Sequence, residues 1–280
     1  MKVVTKRDEL LQLVEGFKKD KKTVGLVPTM GALHKGHVSL VKQAKADSDV
    51  CVVSIFVNPN QFNNKEDLEK YPRDVNKDAL LLEKEGVDII FAPTIEEVYP
   101  EPDTRQFDFG QLDKVMEGKF RPGHFNGVAQ VVSRLFDMVK PDKAYFGEKD
   151  FQQLAIIRDM VKQLAMPVQI MPMPIVREAS GLALSSRNER LSEAQKEVAT
   201  NIYKTLLRSK AEWKNTLSVK ETVGKVIQEI NAIEGLEVEY FQIVDGDSLQ
   251  DINSWSDSKY VVGCVTVFCG DVRLIDNIIY

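Results

Sequence analysis

Two histidines three residues apart, His34 and His37, stand in the run Pro28-Thr29-Met30-Gly31-Ala32-Leu33-His34-Lys35-Gly36-His37. Imidazoles at this spacing can face one phosphate. Gly31 and Gly36 permit a tight turn and a close approach of backbone to ligand. A helix opening within the run adds unpaired N–H groups that favour an anion. This reads as a nucleotide site without a P-loop. Gly31 and Gly36 have Walker spacing, but His37 and Val38 occupy the positions that require Lys and Ser or Thr, and G-x-G-x-x-G is absent. The competing readings are a plain strand-to-helix turn and a His-x-x-His zinc site, the latter without visible partner ligands. The chain has three histidines, and His34, His37 and His124 all fall in Gly-containing turns rather than on apolar helix faces. In Arg121-Pro122-Gly123-His124, the histidine is explained equally well as the lead-in to a helix.

Three further segments carry polar groups suited to the same ligand. In Asn58-Pro59-Asn60-Gln61-Phe62, two carboxamides can bond hydroxyls or a carboxylate without adding charge, although a hairpin-like turn accounts for them too. Gly147-Glu148-Lys149-Asp150-Phe151-Gln152-Gln153 offers a point charge for phosphate in Lys149 and an amide in Gln153. Asp150 and Gln153 also have capping spacing, so helix initiation alone explains two of these residues. Leu184-Ser185-Ser186-Arg187-Asn188 joins two hydroxyls to a guanidinium, a set that can clasp a polyphosphate and meet departing pyrophosphate, yet it is also ordinary linker composition. Three of the four segments fall at expected strand-to-helix junctions, which points to one shared cleft.

The elements that must position these groups follow from periodicity. Strands at Val24–Val27, Val50–Val57 and Asp88–Phe91 alternate with helices at about Gly36–Ala46 and Asp74–Glu85. Continuous apolar strands between amphipathic helices predict a parallel sheet covered on both faces. The pattern resumes with a helix carrying Val128, Val131, Val132, Leu135, Phe136 and Val139. A strand near Ala144–Phe146, a helix through Leu154 and Val161, and a strand at Val168–Met171 follow. Pro93–Gly123, rich in Pro, Gly and acidic residues, is expected to cover substrate. Beyond Asn188, Ser192 and Gln195 have capping-box spacing before a long helix, and another helix spans about Val219–Ile233. Alternating runs at Val238–Val244, Tyr260–Phe268 and Val272–Ile278, the last two joined through Gly270-Asp271, predict an antiparallel sheet. The expected fold is therefore α/β: a Rossmann-like parallel sheet over residues 1–174 and a smaller C-terminal α+β domain over 175–280.

At 280 residues the chain suits one large domain and an appendage. No run of about 18 apolar residues suggests a membrane span, and Met1–Leu10 lacks an apolar h-region, so a cytoplasmic location is expected. Cys51, Cys264 and Cys269 lie in apolar runs without C-x-x-C spacing and read as buried thiols. A net charge of −5 speaks against bulk nucleic-acid binding, so any anion site rests on a few chosen residues.

The run Pro28–His37 resembles the His-x-Gly-His signature of the nucleotidylyltransferase and class I aminoacyl-tRNA synthetase superfamily, and Leu184–Asn188 resembles its Lys-Met-Ser-Lys-Ser-type loop. With Asn58–Phe62, Arg121–Gly127 and Gly147–Gln153 in order, the chain is similar to the pantothenate synthetase family over about its first two-thirds. The resemblance implies a Rossmann-like N-terminal domain, a C-terminal domain that closes over ATP, Mg²⁺ carried on the ATP phosphates with no protein metal ligand, and a homodimer. It assigns ATP to Met30, Gly31, Ala32, Leu33, His34, Lys35, Gly36, His37, Gly147, Glu148, Lys149, Asp150, Val176, Leu184, Ser185, Ser186 and Arg187. Pantoate falls to Gln61 and Gln153, and β-alanine to Gln61. His37 is implied as the catalytic acid, with His34, Lys149 and Arg187 as further catalytic groups. Asn58, Glu117, Arg121 and Tyr71 are implied near the pocket. The chain departs from the family pattern at Leu184, where Met is frequent, and at Ser180, where Asp is frequent. The implied reaction joins pantoate to β-alanine through an acyl-adenylate. Its rivals are a simple adenylyltransferase, a nucleotide-binding regulatory module and an RNA-binding synthetase relative, the last without an evident basic region.

Overall fold

A computed structural model describes residues 1–63, 65–69 and 71–280. The chain runs β1 (Lys2–Val4), α1 (Arg7–Lys19), β2 (Val24–Thr29), α2 (Lys35–Asp47), β3 (Val50–Ile55), α3 (Lys65–Glu69), α4 (Val75–Lys84) and β4 (Ile89–Phe91). It continues through α5 (Ile95–Val98), α6 (Met116–Phe120), α7 (His124–Val139), β5 (Lys143–Gly147), α8 (Phe151–Gln163) and β6 (Gln169–Met173). Last come α9 (Glu193–Arg208), α10 (Val219–Asn231), β7 (Leu236–Asp245), β8 (Val261–Cys269) and β9 (Val272–Ile279).

The first six strands form one sheet in the order β1-β4-β3-β2-β5-β6, every pairing parallel. Val50–Ile55 and Ile89–Phe91 are buried throughout, which is why these runs lack polar alternation: helices cover both faces. From β2 the chain steps to β3 and β4 on one side, then returns to place β5 and β6 on the other. That reversal between β2 and β5 is a topological switch point, where ligands of open α/β sheets bind at the carboxyl ends of the strands. The segments following β3, β2 and β5 therefore leave neighbouring strands at one edge of the sheet. The periodicity reading begins at Val24 and passes over β1 and α1. β1 is a three-residue edge strand paired with β4, too short to show a pattern.

Two compact units emerge: residues 1–109, 121–148 and 153–174 in one, and 110–120, 149–152 and 175–280 in the other. Two short upstream pieces thus join the C-terminal part, and buried polar contacts explain why. Glu117 on α6 accepts from Arg273 on β9 through Nη1 and Nη2 at 2.8 and 2.7 Å. Its carboxylate also accepts from the Tyr240 hydroxyl at 2.9 Å and the Thr266 hydroxyl at 3.1 Å. Arg273 additionally pairs with Glu239. Gln152 accepts the Glu117 N–H at 2.9 Å and donates to the carbonyls of Leu112 and Val115 at 2.7 and 2.8 Å. These bonds hold residues 110–120 and 149–152 against the antiparallel sheet β7-β8-β9 and each other.

That sheet carries a bulge between Val238 and Tyr240, and its apolar core joins Phe241 and Val265 to Ile202, Leu206, Val226 and Ile230 from α9 and α10. Both helices open with reciprocal capping boxes, Ser192 with Gln195 and Ser218 with Glu221. All three cysteines are buried thiols. Among the described residues no helix is long and apolar enough to cross a membrane.

Glu117→Ala leaves Arg273 with Glu239 alone and takes the acceptor from the Tyr240 and Thr266 hydroxyls. It should therefore cost about 1–3 kcal/mol in denaturant unfolding, and an unchanged stability would show that Glu117 does not anchor residues 110–120.

Candidate active site

The turn after β2 is built before any ligand arrives. Thr29, the last residue of the strand, donates its hydroxyl to the Ser54 carbonyl at 2.7 Å and accepts the Gly31 N–H at 3.2 Å. Gly31 and Ala32 then adopt left-handed φ values of 84° and 50°. A Cβ on Gly31 would lie 3.0 Å from Asp78 Oδ2 and 3.2 Å from Ile55 Cγ2, so the position requires glycine by conformation and by space. Ala32 is held in this sparsely populated region by Asp78 of α4. Asp78 Oδ2 accepts the Ala32 N–H at 3.0 Å and Oδ1 the Leu33 N–H at 2.8 Å. The residue is 3% exposed. Burial pushes its pKa above the ordinary value, and the two backbone N–H groups pull against that rise.

His34 and His37 follow as the cap of α2. His34 Nδ1 accepts the Gly36 N–H at 3.1 Å, while His37 Nδ1 accepts the His34 N–H at 3.3 Å, a reciprocal capping box made of imidazoles. Their ring centroids lie 4.1 Å apart at 43°. An accepting Nδ1 must keep its lone pair, so this network assigns the neutral proton of each ring to Nε2, which becomes its donor edge. The N-terminus of α2 and the two imidazoles thus lie together, donor types that suit an anion.

In the same unit, Gln61 closes a 3-10 turn capped by Asn58. The Gln61 Nε2 lies 3.0 Å from Met30 Sδ, and the main-chain carbonyl of Gln61 meets His124 Nδ1 at 2.8 Å and Arg121 Nη2 at 3.4 Å. His124 is thus the first residue of α7 and also a brace for Gln61. Tyr71 packs edge-on to Phe62 at 5.7 Å. Gln153 is half-buried on α8.

The second unit gathers the cationic segments. Val176 and Leu184 face one another across a hairpin, with the Leu184 N–H on the Val176 carbonyl at 3.0 Å and Gly181 at a φ of 94° in its turn. Ser180, the departure from the family's Asp, accepts the Leu182 N–H at 3.4 Å. Ser185 caps the following 3-10 turn by accepting the Arg187 N–H at 3.3 Å. Arg177 of the hairpin makes a bidentate pair with Asp276 at 2.6 and 2.8 Å and lies 3.5 Å over the Tyr203 ring. The next residue, Asn277, donates to the Lys149 carbonyl at 3.1 Å. One dipeptide of β9 therefore anchors both the hairpin and the turn that bears Lys149. Lys149, Ser185 and Asn188 line a single crevice. Glu117, implied near the pocket, pairs with Arg273.

The family model described as Pantoate-beta-alanine ligase matches residues 2–279. The chain belongs to the pantoate–β-alanine ligase family. It is 59% identical to the pantothenate synthetase of Phocaeicola vulgatus, covering 100% of this chain and 99% of that one. Crystalline pantothenate synthetase from Thermus thermophilus superimposes with a TM-score of 0.92 at 42% identity over 99% of each chain. The pantoate–β-alanine ligase from Francisella tularensis, complexed with beta-gamma ATP and β-alanine, gives 0.84 at 35% identity, covering 100% of this chain and 97% of that one. In this ligase-family chain, sequence reading named the His34–His37 turn but missed Asp78, Arg177, Asp276 and Asn277. The one available signal was Asp78 itself, four residues before Leu82 and hence on the buried face of α4.

An acid whose folded pKa is raised contributes stability that is complete below its unfolded value and is given up as pH rises through the folded value. Ionisation of Asp78 in this buried place therefore opposes folding as pH rises. Asp78→Asn should leave stability at pH 7 within about 1 kcal/mol of the parent while removing one of two charge-assisted acceptors, a loss of about tenfold in kcat/KM for ATP. Unchanged kcat/KM would mean that the turn does not depend on the carboxylate.

Proposed function

We propose that the chain condenses pantoate with β-alanine at the expense of ATP, in two steps. The pantoate carboxylate attacks the α-phosphorus, forming pantoyl adenylate and releasing pyrophosphate. The neutral amine of β-alanine then attacks the acyl carbon and expels AMP. The observation that carries this reading is the imidazole-capped helix at the switch point, whose donor edges suit an oxygen that gains negative charge.

Charge grows on the oxygen joining the α- and β-phosphates during the first step. His34 and His37 meet it through Nε2–H, and the amides of the Met30–His37 turn receive neighbouring phosphate oxygens. In that turn Met30, Gly31, Ala32, Leu33, Lys35 and Gly36 form the ATP-binding backbone. From the second unit, Lys149, Ser185, Ser186 and Arg187 are assigned to the triphosphate, and Val176 and Leu184, facing one another across their hairpin, to the nucleoside. Gly147, Glu148 and Asp150 complete that assignment. Gln61 and Gln153 are assigned to pantoate, and Gln61 also to β-alanine. Ammonium and guanidinium have no lone pair for a metal ion, and the Nδ1 atoms of His34 and His37 are taken by backbone N–H groups, so the set suits phosphate oxygens. Mg²⁺ would thus be held by the triphosphate, where it neutralises charge. A homodimer and a cytoplasmic location belong to the same reading.

Hydrogen-bond donors aimed at developing charge are each worth roughly 10²- to 10³-fold. His37→Ala should lower kcat by that factor while ATP still binds, measured as AMP and pantothenate formed from pantoate, β-alanine, ATP and Mg²⁺. Near-full turnover by the folded variant would remove His37 from the chemistry. For the parent, pyrophosphate released with pantoate alone supports the adenylate. Folded, ATP-binding protein without any pantoate-dependent turnover would replace this reading with another adenylyl acceptor or a binding module.

A further inference from the structure

Asn58 is 1% exposed, so every polar atom of its carboxamide must find a protein partner. Its Oδ1 accepts from the Tyr99 hydroxyl at 2.9 Å and the Asn60 N–H at 3.3 Å. Its Nδ2 donates to the Gly127 carbonyl at 3.0 Å and to Gln61 Oε1 at 3.2 Å. With the oxygen of Gln61 occupied, the Nε2 end lies against Met30 Sδ, a weak acceptor. The relay thus turns Gln61 so that it offers N–H rather than C=O, the polarity that a carboxylate or hydroxyl oxygen needs.

Tyr99 is the shorter of the two donors to Asn58 and is itself firmly held. Its ring lies 6.2 Å from that of Phe56 and 5.1 Å beneath the Arg134 guanidinium. Arg134 is fixed in turn by Asp103 at 2.7 Å and by the Val98 carbonyl at 3.2 Å. Burial raises the hydroxyl's pKa above its ordinary value, so it remains a donor across the working range of pH.

We propose that Tyr99 is a positioning residue that, through Asn58, holds Gln61 with its N–H outward for the oxygens of the acid substrate. The proposal rests on the assignment of pantoate to Gln61.

Tyr99→Phe removes one oxygen and keeps the ring. The expected result is a rise of about three- to tenfold in KM for pantoate, the scale of one neutral hydrogen bond, with KM for ATP unchanged. In a Gln61→Ala background the same substitution should add nothing, because the group being oriented is gone. An unchanged pantoate KM in Tyr99→Phe, a parallel rise in KM for ATP, or an undiminished effect in the Gln61→Ala background would each overturn the relay. Gln61→Ala alone tests the underlying assignment: if it leaves pantoate KM unchanged, pantoate does not bind there. If it raises that KM while Tyr99→Phe does not, only the relay fails.

Discussion

Two backbone N–H groups, those of Ala32 and Leu33, end on the carboxylate of Asp78, and that contact shapes the turn between β2 and α2. Ala32 keeps a left-handed φ that the two bonds to Asp78 help to hold. The contact also fixes where α2 begins, hence where His34 and His37 cap it. The rest of the first unit serves this arrangement. The parallel sheet brings the ends of β2, β3 and β5 to one edge, and α4 delivers Asp78 to the turn. A buried acid with a raised pKa is a poor way to stabilise a fold, so its service lies in shaping the turn.

Each unit carries its own polar groups. The first holds the imidazoles of His34 and His37 and the carboxamides of Asn58 and Gln61, and the second holds Lys149 and Arg187 with the hydroxyls of Ser185 and Ser186. Each set has its own foundation, Asp78 for the turn and the Asp276-Asn277 pair for the hairpin and Lys149. The pair of Glu117 and Arg273 ties residues 110–120 to β9 within the second unit.

Much of this was legible in the sequence, for identifiable reasons. Continuous apolar strands announced the parallel sheet. In the second unit the capping pair Ser192–Gln195 marked the start of α9, and Gly270-Asp271 marked the turn between β8 and β9. The histidines stood out because they sit in turns. What stayed hidden depends on partners distant in sequence. Arg177 and Asp276 are 99 residues apart, and Asn277 meets Lys149 across 128. The segment Pro93–Gly123 has weak periodicity because side chains satisfy much of its backbone: Gln130 donates to the carbonyls of Asp103 and Arg105, and Asn126 accepts the Phe107 N–H. Such bonds leave no period to read.

The central claim is that the acid is activated by bonding its own oxygen to the α-phosphorus of ATP. The most direct measurement uses pantoate labelled with ¹⁸O in its carboxylate, turned over with β-alanine, ATP and Mg²⁺, and follows the label by mass. The account predicts one ¹⁸O in each AMP released. Label in inorganic phosphate or in water, with AMP unlabelled, would contradict an adenylate and the reading of the His34–His37 corner that rests on it.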